Sequence, residues 1–297
     1  STLSPSSAAS DVYKRQQEYR FVTKLKSTFL DGLLAARSAD GRVHTRFQQC
    51  VTATGRISSA EPNLQNIPVR TPLGREIRKA FVASEGCVLI GADYSQIELR
   101  ILAHLSGDEG LIAAFLSGED VHRRTAAEVF GVPQEQVTPE MRSAAKAVNF
   151  GIVYGISPFS LSQDIGVSVA EAKEYMDRYF LKYAGVRAYM DRVVERAKEE
   201  GYVSTLFGRR RWLPELKSSN FNTRSFGERV ALNMPIQGTA ADIIKLAMLR
   251  VDKALRAEKL QARLVLQVHD ELIAECPAEE QAQVKRILTE EMEHAAA

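Results

Sequence analysis

"CVLIGADYSQIELR", residues 87–100, runs from an apolar stretch into an aspartate and then, five residues on, a glutamate. The stretch reads as a short buried strand over Cys87–Asp93, followed by a helix from about Ser95 to His104. A carboxylate at the end of an apolar strand is costly unless a cation or hydrogen-bond donors meet it. Asp93 therefore marks a place that wants negative charge, unless it is simply one of the turn residues that end many strands.

A second aspartate favours the first reading. "ARLVLQVHDELIAECP", residues 262–277, reads as two short apolar strands around His269–Asp270. If the two strand regions are neighbours, Asp93 and Asp270 emerge at one edge of a sheet. Two close carboxylates repel, and a cation between them keeps both ionised. A hard divalent ion with oxygen ligands, Mg²⁺ above all, suits such a pair and commonly arrives with substrate phosphates. Two such ions can activate one oxygen and stabilise another.

In "TPEMRSAAKAVNFGIVYG", residues 138–155, Thr138 is placed to cap a helix with Pro139 at its first position. Arg142, Lys146 and Phe150 recur every fourth residue and share one face, and Tyr154 continues the drift. Two cations followed by aromatic rings suit a nucleoside triphosphate, with phosphates on the cations and a base against the rings. A solvated basic helix edge is the plainer alternative. The glycines of "NFGIVYG" point instead to close approach by a ligand or another backbone.

Loops carry further cations and amides. "TGRISSAEPNLQNIPVR" holds Arg56, Asn63, Gln65, Asn66 and Arg70, "FGRRRW" holds Arg209, Arg210 and Arg211, and "NMPIQGTAAD" holds Asn233 and Gln237. Such groups can contact phosphates and minor-groove acceptors without demanding a sequence. The arginine run by itself reads better as solvated loop.

Along the rest of the chain, residues 17–36 have helical spacing and residues 42–59 read as strand. Residues 60–74 are proline-punctuated loop. Residues 108–200 are mostly helical, residues 201–214 form a hairpin with a basic turn, and helices cover about 222–257. A last amphipathic helix runs to the end. Sheet-forming ends around a helical middle give an α+β fold with a helical insertion. The 297 residues suffice for one large or two modest domains, and a net charge of +2 implies no polyanion partner by itself. No apolar run reaches membrane-spanning length, so no membrane is expected. Cys50, Cys87 and Cys276 stand far apart without a CxxC pair, which fits a reducing cytoplasm. The small polar residues 1–16 read as a non-native or disordered leader.

Taken together, "DYSQIELR", "RSAAKAVNFGIVYG", "VHDE", "TGRISSAEPNLQNIPVRTPLG" and "NMPIQGTAADIIKLAM" resemble the family A DNA polymerases of the bacterial DNA polymerase I type, in the family's order, from about Gln17 onward. The resemblance implies a right-hand polymerase, with an antiparallel-sheet palm, inserted helical fingers and most of the thumb absent. Residues 17–106 would hold the end of the thumb and the first part of the palm, 107–219 the fingers, and 220–297 the rest of a C-terminally truncated palm. It implies two Mg²⁺ ions on Asp93, Asp270 and the Tyr94 carbonyl, with Glu271 beside them, and counts Lys146 with the two aspartates as catalytic. Arg142, Lys146 and His122 would hold the triphosphate, Phe150 and Tyr154 would face the nucleotide, and Glu98 would crowd a 2′-hydroxyl. Arg56, Asn63, Asn66, Arg229, Gln237 and His269 would touch primer or template. The implied partners are primer–template DNA and dNTPs, for a monomer. The rival readings are an RNA polymerase-like nucleotidyl transferase and an inactive primer–template-binding fragment.

Overall fold

The computed structural model describes residues 5–69 and 71–296. Arg70 and residues 1–4 of the expected leader lie outside the described residues. The elements run α1 (Pro5–Lys24), a π-helical turn Leu25–Asp31, α2 (Gly32–Ala35), β1 (Arg46–Gln48), β2 (Ser58–Ala60), α3 (Pro72–Arg78) and β3 (Cys87–Asp93). Helices α4 (Ile97–Ser106), α5 (Glu109–Leu116), α6 (Val121–Phe130), α7 (Pro139–Val153), α8 (Pro158–Ile165), α9 (Val169–Lys182) and α10 (Ala184–Glu200) follow. The chain closes with β4 (Tyr202–Ser204), β5 (Arg210–Trp212), α11 (Phe221–Ala257), β6 (Arg263–Val268), β7 (Glu271–Pro277) and α12 (Gln281–Glu293). The fold is α+β, as the sequence predicts, and it divides into two compact units.

The first unit comprises residues 5–52, 57–92 and 250–291. Its sheet has the strand order β3-β7-β6. Strands β6 and β7 pair antiparallel from Arg263↔Glu275 to Val268↔Glu271, with an irregularity between Leu264 and Leu266. That register leaves only His269 and Asp270 in the turn. His269 takes the left-handed backbone conformation that a two-residue hairpin turn asks for, at φ 55°. The β7 residues Leu272, Ala274 and Cys276 are buried, as are Val284, Ile287 and Leu288 on one face of α12. A smaller cluster joins Leu25 and Phe29 to Ile77 of α3.

The second unit comprises residues 53–56, 93–249 and 292–296. Its main core runs through α4 to α10 and takes Leu99, Leu102, Leu111, Ile152, Leu161 and Tyr179 out of solvent. The sequence breaks between these helices are capping sites. The Asp108 side chain accepts from Leu111 N, Asp120 from His122 N and Arg123 N, Thr138 from Met141 N, and Ser157 from Ser160 N. Ser168 and Glu171 form a capping box at the start of α9. Each such cap stabilises its helix by about 1 kcal/mol. Strands β4 and β5 form the expected hairpin, Tyr202↔Trp212 to Ser204↔Arg210. Helix α11 continues through Pro235, which has no N–H to give to the carbonyl four residues back.

Three local expectations change. Of residues 42–59 only the three-residue β1 and β2 are strand. Between them Gly55 turns the chain at φ +84°, and residues 53–56 belong to the second unit. The loop assigned to residues 60–74 ends early: the Thr71 side chain accepts from Gly74 N and Pro72 opens α3. A capping threonine and a first-position proline look like loop until the helix behind them is seen. Finally, residues 5–16 of the segment read as a non-native or disordered leader lie within helix α1.

Candidate active site

Glu98 lies in the first turn of α4 and is 7% exposed. It does not point into solvent. Arg56 Nη2 donates to Glu98 Oε1 at 2.7 Å, and the Tyr154 hydroxyl donates to Glu98 Oε2 at 3.1 Å. Burial and the nearby Glu98 carboxylate push the Tyr154 phenol up, so it stays a neutral donor, and it also engages the Gln237 side chain. Arg56, Glu98, Tyr154 and Gln237 thus form one polar cluster in the second unit. Arg56 and Gln237, both expected to touch DNA, belong to this cluster.

The α7 face is built as its spacing predicts. Thr138 caps the helix and Pro139 opens it. Lys146 is exposed, with Nζ 5.9 Å from the centre of the Phe150 ring. The His122 ring centre lies 5.8 Å from that of Phe150. Arg142 Nε donates to Asp120 at 2.6 Å. Burial pushes the Asp120 carboxyl up, but the hydrogen bonds from Arg142 and from Arg123 N outweigh this and hold it below the usual range. His122 is 2% exposed. Burial lowers its pKa from 6.5 to about 4; Asp120 opposes this, and Arg142 and Lys146 reinforce it. The ring is therefore neutral near pH 7, and its Nδ1 pairs with the Asn149 amide at 3.0 Å. Asn149 also bonds Thr125 in the same buried network. Arg142, Lys146, Phe150 and His122 come together, while Tyr154 at the helix end turns to Glu98.

The glycines of "NFGIVYG" are approached closely by the chain itself. A Cβ on Gly151 would meet Ile156 at 2.6 Å, and one on Gly155 (φ +64°) would meet Arg229 and Leu232 at 3.3 Å. Arg229 is exposed on α11 and donates to Ser225.

The two aspartates occupy the strand-end positions foreseen for them. Asp93 is the last residue of β3, and Asp270 sits in the β6–β7 turn. Strand β3 neighbours β7, and a Cβ on Gly91 would lie 2.6 Å from Glu271 Oε1. The Glu271 carboxylate is thus laid over the adjacent strand, which explains the glycine there. Among the described residues no three His, Cys, Asp or Glu side chains group as a metal site. A pair of carboxylates suits a hard cation that brings its remaining oxygens with substrate phosphates.

The turn at His269 is braced from a distance. Gln65 Nε2 donates to the Gln267 carbonyl at 3.0 Å, and the Gln267 side chain donates to the His269 carbonyl. Asn63 accepts from Gln65 N at 2.9 Å, so this amide shapes its own loop, while Asn66 is exposed. Two members of the arginine run have partners as well: Arg209 pairs with Asp242, and Arg210 lies over the Tyr202 ring at 4.7 Å. Sequence reasoning missed Asp120, Asn149, Gln267 and Asp242. The signal for Asp120 was its place as a helix cap beside His122; the other three carry no local signal.

No helix among the described residues is long and apolar enough to cross a membrane. The family model described as DNA polymerase family A matches residues 2–297. DNA polymerase I of Geobacillus stearothermophilus is 56% identical over 279 residues, covering 93% of this chain and 32% of that protein. DNA polymerase I of Mycobacterium tuberculosis H37Rv is 56% identical over 275 residues, covering 92% of this chain and 30% of that one. The chain therefore spans about a third of the length of the curated relatives it matches. A solved structure, the POL domain of Pol1 from M. smegmatis in complex with DNA primer-template and dNTP, superposes with a TM-score of 0.90 at 53% identity. That match covers 94% of this chain and 49% of the other. With a family model matched across nearly its whole length, the chain belongs to DNA polymerase family A.

Proposed function

We propose that this chain is the catalytic core of a DNA-directed DNA polymerase, adding deoxynucleotides to a primer 3′-hydroxyl. The observation that carries the reading is the buried Glu98 carboxylate, fixed by Arg56 and Tyr154 at the start of α4. A charge held out of solvent by two donors is a rigid wall, and a wall is what rejection of a single extra oxygen needs. The exposed Lys146 and the half-buried Arg142 would hold the triphosphate, with the Phe150 ring beneath the nucleotide and neutral His122 donating to a phosphate oxygen. The primer hydroxyl attacks the α-phosphate, a new P–O bond forms, and the bond to the departing pyrophosphate breaks.

The carboxylates of Asp93 and Asp270 and the carbonyl of Tyr94 would hold two Mg²⁺ ions. Bound there, such ions favour deprotonation of the hydroxyl and offset phosphate charge. Asn63, Asn66, Arg229 and His269, all exposed, would face primer or template, together with Arg56 and Gln237. By this reading residues 107–219 serve as fingers and the β3-β7-β6 sheet as palm. The M. smegmatis relative, solved with primer-template and dNTP, supports both partners. Primer extension with dNTPs and Mg²⁺, run in parallel with NTPs, tests the proposal. Extension by dNTPs and poor use of NTPs is expected; salt-dependent binding with no extension, or equal use of both, would contradict it.

A further inference from the structure

A second ion pair, Arg209–Asp242, lies beside the loop that carries Arg56. Asp242 on α11 is 7% exposed. Arg209, at the start of the β4–β5 hairpin's second arm, donates to Asp242 Oδ1 through Nε at 2.9 Å and Nη2 at 2.6 Å. The Thr205 hydroxyl donates to Asp242 Oδ2 at 2.8 Å. The carboxylate is therefore satisfied on both oxygens, and the guanidinium is fixed in its plane.

That guanidinium supports the chain at Gly55. A Cβ there would stand 2.5 Å from Arg209 Nε, 2.7 Å from Cζ and 3.0 Å from Cδ, and Gly55 is at φ +84°. No other residue fits both the conformation and the contact. On the other side of the same loop, the Thr54 carbonyl comes within 3.2 Å of where a Gly238 Cβ would be. The Thr54–Gly55 backbone is thus set between α11 and the Arg209 side chain, and Arg56 is the next residue.

We infer that Asp242 is a positioning residue for sugar selection: it fixes Arg209 against Gly55, and so fixes Arg56 against Glu98. The effect of Asp242 and Arg209 reaches the pocket through the loop. The inference rests on the proposed role of Glu98, and the experiment separates the two.

The kcat/KM ratio of matched NTP to dNTP is measured for the parent, Glu98→Ala, Asp242→Asn and Arg209→Lys, with thermal unfolding of each. Asp242→Asn keeps the volume and removes the charge. Arg209→Lys keeps the charge but loses the flat guanidinium under Gly55, and serves if Asp242→Asn folds poorly. The ratio is expected to rise about tenfold in both, in the direction of Glu98→Ala, and to rise no further when Asp242→Asn is added to Glu98→Ala. If Glu98→Ala shifts the ratio and the Asp242 and Arg209 variants match the parent, the positioning role is overturned and the Glu98 reading stands. If Glu98→Ala leaves the ratio unchanged, or no variant extends primer, a crystal structure of the Asp242→Asn or Arg209→Lys protein decides. A displaced Arg56 supports positioning, and an Arg56 still bonded to Glu98 overturns it.

Discussion

The Tyr154 hydroxyl, at the C-terminal end of α7, donates to the carboxylate of Glu98 at the N-terminal turn of α4 across 3.1 Å. The two residues are far apart in sequence and belong to different motifs. The bond ties the helix proposed to meet the triphosphate to the residue proposed to sense the sugar.

Loss of that bond should loosen sugar choice. Glu98→Ala removes the wall and is expected to raise NTP use relative to dNTP use by about a hundredfold, the scale on which pockets distinguish a single hydroxyl. Tyr154→Phe removes a donor to a buried charge, a loss of about 1.5–3 kcal/mol of interaction. It should raise the ratio less than Glu98→Ala does. Steady-state kinetics with matched NTP and dNTP checks both, and a larger effect from Tyr154→Phe would mean that the phenol itself contacts the sugar.

On α7, Lys146→Ala and Arg142→Ala should raise KM for dNTP and lower kcat/KM, since a phosphate would lose a charge-assisted partner. Asp120→Asn should act differently. It removes the charge that holds Arg142 in its 2.6 Å ion pair, while asparagine caps α6 about as well as aspartate, so the unfolding temperature should fall only slightly. Nucleotide titrations alongside thermal melts distinguish the two. Parental KM values in both cation variants would show that this face does not meet the triphosphate.

His122 gives a pH signature. Its pKa is about 4 in the fold against an ordinary 6.5, so the fold favours the neutral ring. The unfolded chain binds the extra proton first, and stability therefore falls as pH drops from 6.5 towards 4. Across that window the loss reaches about 3 kcal/mol. Melting temperatures at about pH 7.5 and about pH 4.5, for the parent and His122→Gln, test this. The parent should lose more than the variant, and equal losses would show that His122 is not the group responsible.

The strand into Asp93, the hairpin around Asp270 and the α7 face were legible because each rests on a local pattern. Apolar runs, turn residues and a four-residue repeat suffice to mark them. The supports of these groups were not legible. Gln65 meets Gln267, Arg56 meets Glu98 and Arg209 meets Asp242 only after the chain has folded, and nothing in "GTAAD" distinguishes a buried aspartate from a helix-surface one. Residues 42–59 misled for a related reason. Their β-branched composition favours strand, but residues 53–56 pack with the second unit, and that tertiary demand overrides propensity. The glycines of "NFGIVYG" signalled close approach, and among the chain's own groups Ile156, Arg229 and Leu232 approach them.

The two aspartates carry the central claim, and one measurement meets it directly: single-turnover primer extension by the parent, Asp93→Asn and Asp270→Asn, with primer–template affinity measured on the same samples. Asparagine keeps the shape of each side chain and removes the charge that a pair of hard cations needs. The account predicts that either substitution abolishes extension while DNA affinity stays near the parent's. Near-parental extension by either variant of an active parent would contradict it.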